Sequence, residues 1–186
     1  MDYKYDIKIP LERIAVLIGS KGSIKKELEE KSDSKISIDS EDGNVTIRSQ
    51  DVIKLYSLKN VIYAIGRGFN PEFAEKLFKI DYTLEVIPLK NPGNSRKSIL
   101  RIKGRLIGTE GKTRRYIESL TDTHISVFGK TISILGESKR VEIATRSINM
   151  LISGSKHSTV YAWLEETMKT FRLQEDYDIS SENIKK

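Results

Sequence analysis

Two short glycine-bracketed segments carry the residues best suited to chemistry in this chain: Gly19-Ser20-Lys21-Gly22 and Gly108-Thr109-Glu110-Gly111. Each follows an isoleucine, Ile18 or Ile107. Glycines at this spacing permit a tight turn without Cβ clashes and let another backbone approach closely. The residues after each turn have helical apolar spacing. Each turn therefore opens a helix whose first N–H groups and positive dipole end suit a phosphate. A single strand whose phosphates rest on such a turn would lay its bases along an apolar groove beside it. Ile18, Ile24, Ile36 and Ile38 are the expected floor of that groove at the first turn, with Lys21 and Lys25 as cations. At the second turn the floor is Ile107, Ile117 and Ile125, and Arg105, Lys112, Arg114 and Arg115 supply charge.

Other chemistry is poorly supplied. The chain has no cysteine, which excludes disulfides, thiolate metal sites and a cysteine nucleophile. Its two histidines, His124 and His157, are distant in sequence. Asp33 and Asp122 recur at equivalent places, but at helix ends, where aspartate serves turns. A nuclease would need clustered carboxylates or a positioned acid–base pair beside the glycine turns, and neither is present. The reading is of no catalytic residue, no metal and no cofactor. No apolar run approaches the roughly 20 residues that span a bilayer. Met1-Asp2-Tyr3-Lys4-Tyr5-Asp6 contains no apolar signal region, so a cytoplasmic protein without membrane partners is expected.

Charge is unevenly placed. Residues 1–79 carry 14 basic and 13 acidic side chains, whereas residues 80–186 carry 18 and 13. Within 90–115 stand Lys90, Arg96, Lys97, Arg101, Lys103, Arg105, Lys112, Arg114 and Arg115 against one acid, Glu110. Such an excess attracts polyanions and speeds their encounter.

The elements that position these turns are repeated. Residues 18–22 recur at 107–111, and the offset of 89 continues without a gap: Lys25 falls on Arg114, Leu28 on Ile117 and Glu29 on Glu118. Ser32–Ile38 then falls on Thr121–Val127. Each copy reads β-α-α-β-β-α. In the first, strand 3–9 ends at Pro10, helices 11–18 and 23–31 flank the turn, and Ser23 is the expected N-cap. Strands 35–39 and 45–48 meet at Asp42-Gly43, and a helix spans 51–66. The second copy has strand 82–89, helices 98–106 and 112–120, strands 125–128 and 131–135, and helix 138–152. Asn91–Ser95 is a loop inserted before its first helix. Asn70-Pro71 starts a short linker helix to Phe78, and 157–171 is amphipathic. The expected division is a first domain over 1–69, a helical linker over 70–80 and a second domain over 81–154. A C-terminal helix over 155–171 and a frayed polar tail over 172–186 complete it.

The turn context and element order resemble K-homology (KH) domains, whose Gly-x-x-Gly loop clamps about four nucleotides of a single strand. That resemblance implies an α+β fold of two tandem type I KH domains, each a three-stranded sheet with helices on one face, plus a C-terminal helix. Ala64-Ile65-Gly66-Arg67-Gly68-Phe69-Asn70-Pro71-Glu72, Gly104–Gly108 with Gly111–Glu118, and His157-Ser158-Thr159-Val160-Tyr161 are similar to archaeal two-KH proteins related to the eukaryotic Dim and "partner of Nob" (Krr-like) factors. The resemblance implies binding to the 3′ region of small-subunit ribosomal RNA during ribosome assembly. It also implies partners such as the alpha subunit of translation initiation factor two or a ribosome-assembly endonuclease. An adaptor whose main partner is a protein is the alternative.

The two copies differ. The first loop holds Lys21 at its centre, but its surrounding Lys25, Lys26, Lys31 and Lys35 are offset by Glu27, Glu29 and Glu30. The second loop holds Glu110, expected either to repel phosphate or to fold back on Lys112 or Arg114, within a richer basic surround. Both copies are expected to contribute, the second as the tighter site. Trp163 reads as a packing anchor.

Overall fold

The computed structural model describes residues 3–89 and 96–184. The inserted loop at Asn91–Ser95, together with Lys90, lies outside them. The chain runs β1 (Tyr3–Lys8), α1 (Leu11–Ile18), α2 (Ser23–Ser32), β2 (Lys35–Asp39), β3 (Asn44–Ser49) and α3 (Val52–Gly66). A one-turn α4 (Pro71–Ala74) continues as a 3-10 turn over Glu75–Phe78. There follow β4 (Tyr82–Pro88), α5 (Arg96–Ile107), α6 (Lys112–Thr121), β5 (His124–Phe128), β6 (Thr131–Glu137), α7 (Ser138–Ile152) and α8 (His157–Ile184). The expected β-α-α-β-β-α order is present twice. Each repeat forms an antiparallel sheet with its last strand in the middle, β1-β3-β2 and β4-β6-β5.

Alternation decides the first sheet. Ile7 opposes Val45 and Ile36 opposes Ile47, so one face is apolar. All four are buried in a core with Ile14 and Leu17 of α1, Leu28 of α2, and Leu55, Leu58, Ile62 and Ile65 of α3. Asp51 starts α3, its carboxylate accepting from the amides of Ile53 (2.8 Å) and Lys54 (3.2 Å). One local expectation changes. Gly22, in a left-handed conformation, takes the N-cap position of α2, leaving Ser23 as its first helical residue. Asn70 stands at the N-cap of α4 with Pro71 as its first residue, as expected, and caps it through its backbone carbonyl, which accepts from the amides of Phe73 and Ala74 (both 3.1 Å).

The repeat boundary and the compact units do not coincide. One unit comprises residues 1–89 with 124–138; the other comprises 90–123 with 139–186. Phe69 just before the linker, Ala74 and Leu77 within it, and Leu135 from β6 join the first unit's core. Ser126 donates to the Arg67 carbonyl (2.8 Å), Phe73 stacks on His124 (4.2 Å), and Lys76 Nζ reaches its Nε2 (2.9 Å). In the second unit α8 lies along α6. Tyr161 donates to Thr113 Oγ1 (3.0 Å), Arg172 donates to the Leu120 carbonyl (3.1 Å), and Tyr116 donates to Glu165. α8 then runs on to Ile184, well past the expected stop at 171 and through the segment expected to fray. Arg140 of α7 pairs with Glu175 (2.9 Å), and Gln174 donates to Asp178 one turn on (2.8 Å).

Candidate nucleic-acid interface

The two glycine turns have nearly the same backbone. Gly19 has φ 74°, ψ 179° and Gly108 has φ 73°, ψ 174°. Lys21 (51°, 29°) and Glu110 (52°, 27°) are both left-handed, as are Gly22 (79°, 14°) and Gly111 (76°, 14°). The second glycine's amide closes the turn on the first glycine's carbonyl, at 3.3 Å and 3.2 Å.

The two glycines of each turn serve different ends. A Cβ on Gly19 would stand 2.5 Å from Ile24 Cγ1 and 2.8 Å from the Ile24 amide nitrogen. On Gly108 it would strike the Thr113 hydroxyl and approach the Thr113 amide nitrogen to 2.8 Å. The first glycine thus lets the turn seat on the helix that follows it. Gly22 and Gly111 instead face open space, with no atom within 4 Å of an added Cβ. That space lies at the N-termini of α2 and α6, neither of which has a side-chain cap.

The expected site residues fall into three groups. Ser20, Lys21, Thr109, Glu110, Lys112 and Arg115 are exposed, and Ile18, Lys25 and Ile107 are half-buried at the turns. Among the described residues no carboxylate pairs with Lys21, Lys25 or Lys112. Arg105 and Arg114 are less available. Arg105 donates to the Ser155 carbonyl (2.6 Å) while its own carbonyl meets His157 Nε2 (3.0 Å), and Arg114 faces Glu118 (3.6 Å). Ile36, Ile117 and Ile125 are only 2%, 1% and 6% exposed. They are core residues rather than groove floor: Ile36 of β2 and Ile125 of β5 lie on strand faces turned inward, and Ile117 lies on the buried side of α6 with Thr113 and Thr121. Glu110 folds back on neither Lys112 nor Arg114. Its carbonyl accepts from Arg115 (2.5 Å), which braces the loop and leaves the carboxylate outside.

The charges around α2 are more fully matched, as expected. Lys31 meets Glu27 (2.7 Å) and Glu75 (2.5 Å), contacts that raise its pKa, and Lys26 lies 3.8 Å from Glu30. The Tyr116 phenol, donating to the Glu165 carboxylate, is pushed up to about 12. Trp163 is half-buried with the Arg146 guanidinium 5.0 Å from its ring centre. One anchor has no sequence signal. Arg13 donates to the carbonyls of Ile65 (2.7 Å) and Phe69 (2.6 Å), fastening α1 to the end of α3, and burial lowers its pKa. Among the described residues no three histidine or carboxylate side chains gather to hold a metal ion, and no helix is long and apolar enough to cross a membrane.

The repeated fold and paired turns define a tandem KH protein of type I. A KH-domain model matches residues 4–64, and the model of the second PNO1 domain, a eukaryotic type KH-domain (KH-domain type I), matches 83–169. The chain is 47% identical over 163 residues to the KH domain-containing protein MJ0443 of Methanocaldococcus jannaschii, covering 86% of this chain and 71% of that protein. It is similar to Dim2p of Pyrococcus horikoshii OT3, with a TM-score of 0.80 and 42% identity over 88% of this chain and 99% of that one. A chain of the a/eIF2alpha–aDim2p–rRNA complex from the same organism matches with TM-score 0.84 and 41% identity, covering 91% and 96%. The chain belongs to the tandem KH family that includes archaeal Dim2p and PNO1.

Proposed function

We propose that this protein holds single-stranded RNA from the 3′ region of small-subunit ribosomal RNA on its Gly-x-x-Gly turns during ribosome assembly, as a cytoplasmic binding protein and not an enzyme. The observation that carries this reading is the twice-built turn, with its second glycine facing open space at an uncapped helix N-terminus. Phosphates on those amides would set affinity and register, and base edges beside them would set preference. Two such sites on one chain raise avidity through effective concentration. The aDim2p relative crystallised with a/eIF2alpha and rRNA supports both this RNA class and the alpha subunit of initiation factor two as a protein partner.

Fluorescence anisotropy with a short oligonucleotide from that RNA end tests the reading. Wild type is compared with a Ser20→Asp/Lys21→Asp double variant and a Thr109→Asp variant over a salt series. Binding should prefer the native over a scrambled sequence and weaken in one or both variants. Sequence-blind binding that survives both would mean the turns only connect helices. Labelled RNA incubated with divalent metal should remain intact; sustained cleavage would overturn the non-enzymatic reading.

A further inference from the structure

The two repeats place their charge in opposite ways. In the first, the cation is in the turn (Lys21) and the preceding helix carries Glu12 and Ala15 on its exposed surface. In the second, the turn carries Glu110, and the positions equivalent to Glu12 and Ala15 are Arg101 and Gly104. Both the sign of the charge and the presence of a Cβ are reversed.

α5 is also longer than α1, 12 residues against 8, and contains no acid. Ile102 and Leu106 are its buried side. At 100° per residue Gly104 falls at the middle of the opposite, exposed side, and Lys97, Arg101 and Gly108 lie within one face around it. Among the described residues no carboxylate pairs with Arg96, Lys97, Arg101 or Lys103. Gly104 needs a reason, since glycine inside a helix is less stable than alanine by about 1 kcal/mol. Packing is not that reason: nothing lies within 4 Å of a Cβ built there. What its bareness provides is close access to the helix backbone between Arg101 and the Gly108–Gly111 turn.

We infer that the exposed face of α5 is a second phosphate track, carrying the RNA strand beyond the nucleotides held at the Gly108–Gly111 turn. The inference rests on the RNA-binding reading of that turn. From Lys97 to Gly108 the helix advances about 16 Å, and Lys97 and Arg101 stand one turn apart, about 6 Å along the axis. Consecutive phosphates of a stretched strand can meet the two cations in succession while the sugar edge passes over Gly104. The carboxylate of Glu110 then turns the strand from the middle of the loop toward α5.

The experiment compares anisotropy titrations of two RNAs: a core of about four nucleotides from the 3′ end of small-subunit RNA, and the same core extended at either end by about four uridines. Wild type should bind one extended RNA at least tenfold more tightly. Two phosphate contacts on single-stranded RNA steepen the log–log salt slope by about 1.4, so a fourfold rise in salt should remove about sevenfold of that gain. In Lys97→Gln/Arg101→Gln the ratio of extended to core affinity should collapse toward one. Gly104→Ala should raise the melting temperature yet cut the same ratio. If the core binds and extension adds nothing, or its gain survives these variants, the track is wrong and the turn reading stands. If only the extended RNA binds and the variants abolish it, the track stands and the turn reading fails. Failure of both RNAs to bind overturns both.

Discussion

Replacing the first and second glycines of one turn should separate folding from binding. At Gly19 the backbone (74°, 179°) lies in a region that only glycine occupies readily. Holding alanine there costs about 1–3 kcal/mol. Its Cβ would also press on Ile24 at 2.5 Å from Cγ1 and 2.8 Å from the amide nitrogen. Backbone cannot yield as a side-chain tip can, and such overpacking adds about 1–3 kcal/mol. A total near 3 kcal/mol lowers the melting temperature of a protein this size by about 6–12 °C. Gly22 is left-handed with open space above it, and asparagine tolerates that conformation. Gly22→Asn should therefore cost under about 1 kcal/mol and shift melting by less than about 4 °C. Its side chain would nevertheless occupy the space proposed for a phosphate and cut RNA affinity about tenfold, or about 1.4 kcal/mol. Differential scanning fluorimetry and anisotropy on both variants make the comparison. A Gly19→Ala protein as stable as wild type would refute the packing argument, and a Gly22→Asn protein that binds RNA normally would refute the open-space argument.

Glu110→Lys should tighten RNA binding by about 1 kcal/mol, roughly fivefold, because a repulsive exposed charge becomes an attractive one; anisotropy at low salt measures it. Arg13→Met should cost about 2–4 kcal/mol in urea unfolding, since two carbonyls lose a charged donor. The Tyr116 phenol has a folded-state pKa of about 12, above its ordinary value of 10.0. The stability it contributes is therefore full below pH 10 and is lost as pH rises through about 12. Thermal melts should show a shallower alkaline decline for Tyr116→Phe than for wild type.

How far the sequence reveals this molecule depends on whether a residue's role is local. The turns were legible because glycine marks positive φ: an offset of 89 in the letters reappears as two loops whose backbone angles agree within a few degrees. Strand alternation was legible too, but it tells only which residues share a face. Ile36 and Ile125 share theirs with the core, and period two cannot distinguish a core from a ligand groove. The arginines fail for the opposite reason. A long cation on a helix reads as surface, yet Arg13 and Arg105 reach carbonyls 52 and 50 residues away, at or just beyond the C-termini of α3 and α7. The same logic explains α8. Its apolar spacing ends near Phe171, so core packing gives no reason to continue, but Gln174 with Asp178, Ser180 with the Asp176 carbonyl, and Arg140 with Glu175 carry it onward. Gly104 sits between these cases: the letter was visible, but its meaning required knowing that nothing packs against it. An unpacked glycine, which locally destabilises its helix, points to an external partner more strongly than the lysines and arginines around it, because solvation alone accounts for exposed cations and does not account for the missing side chain.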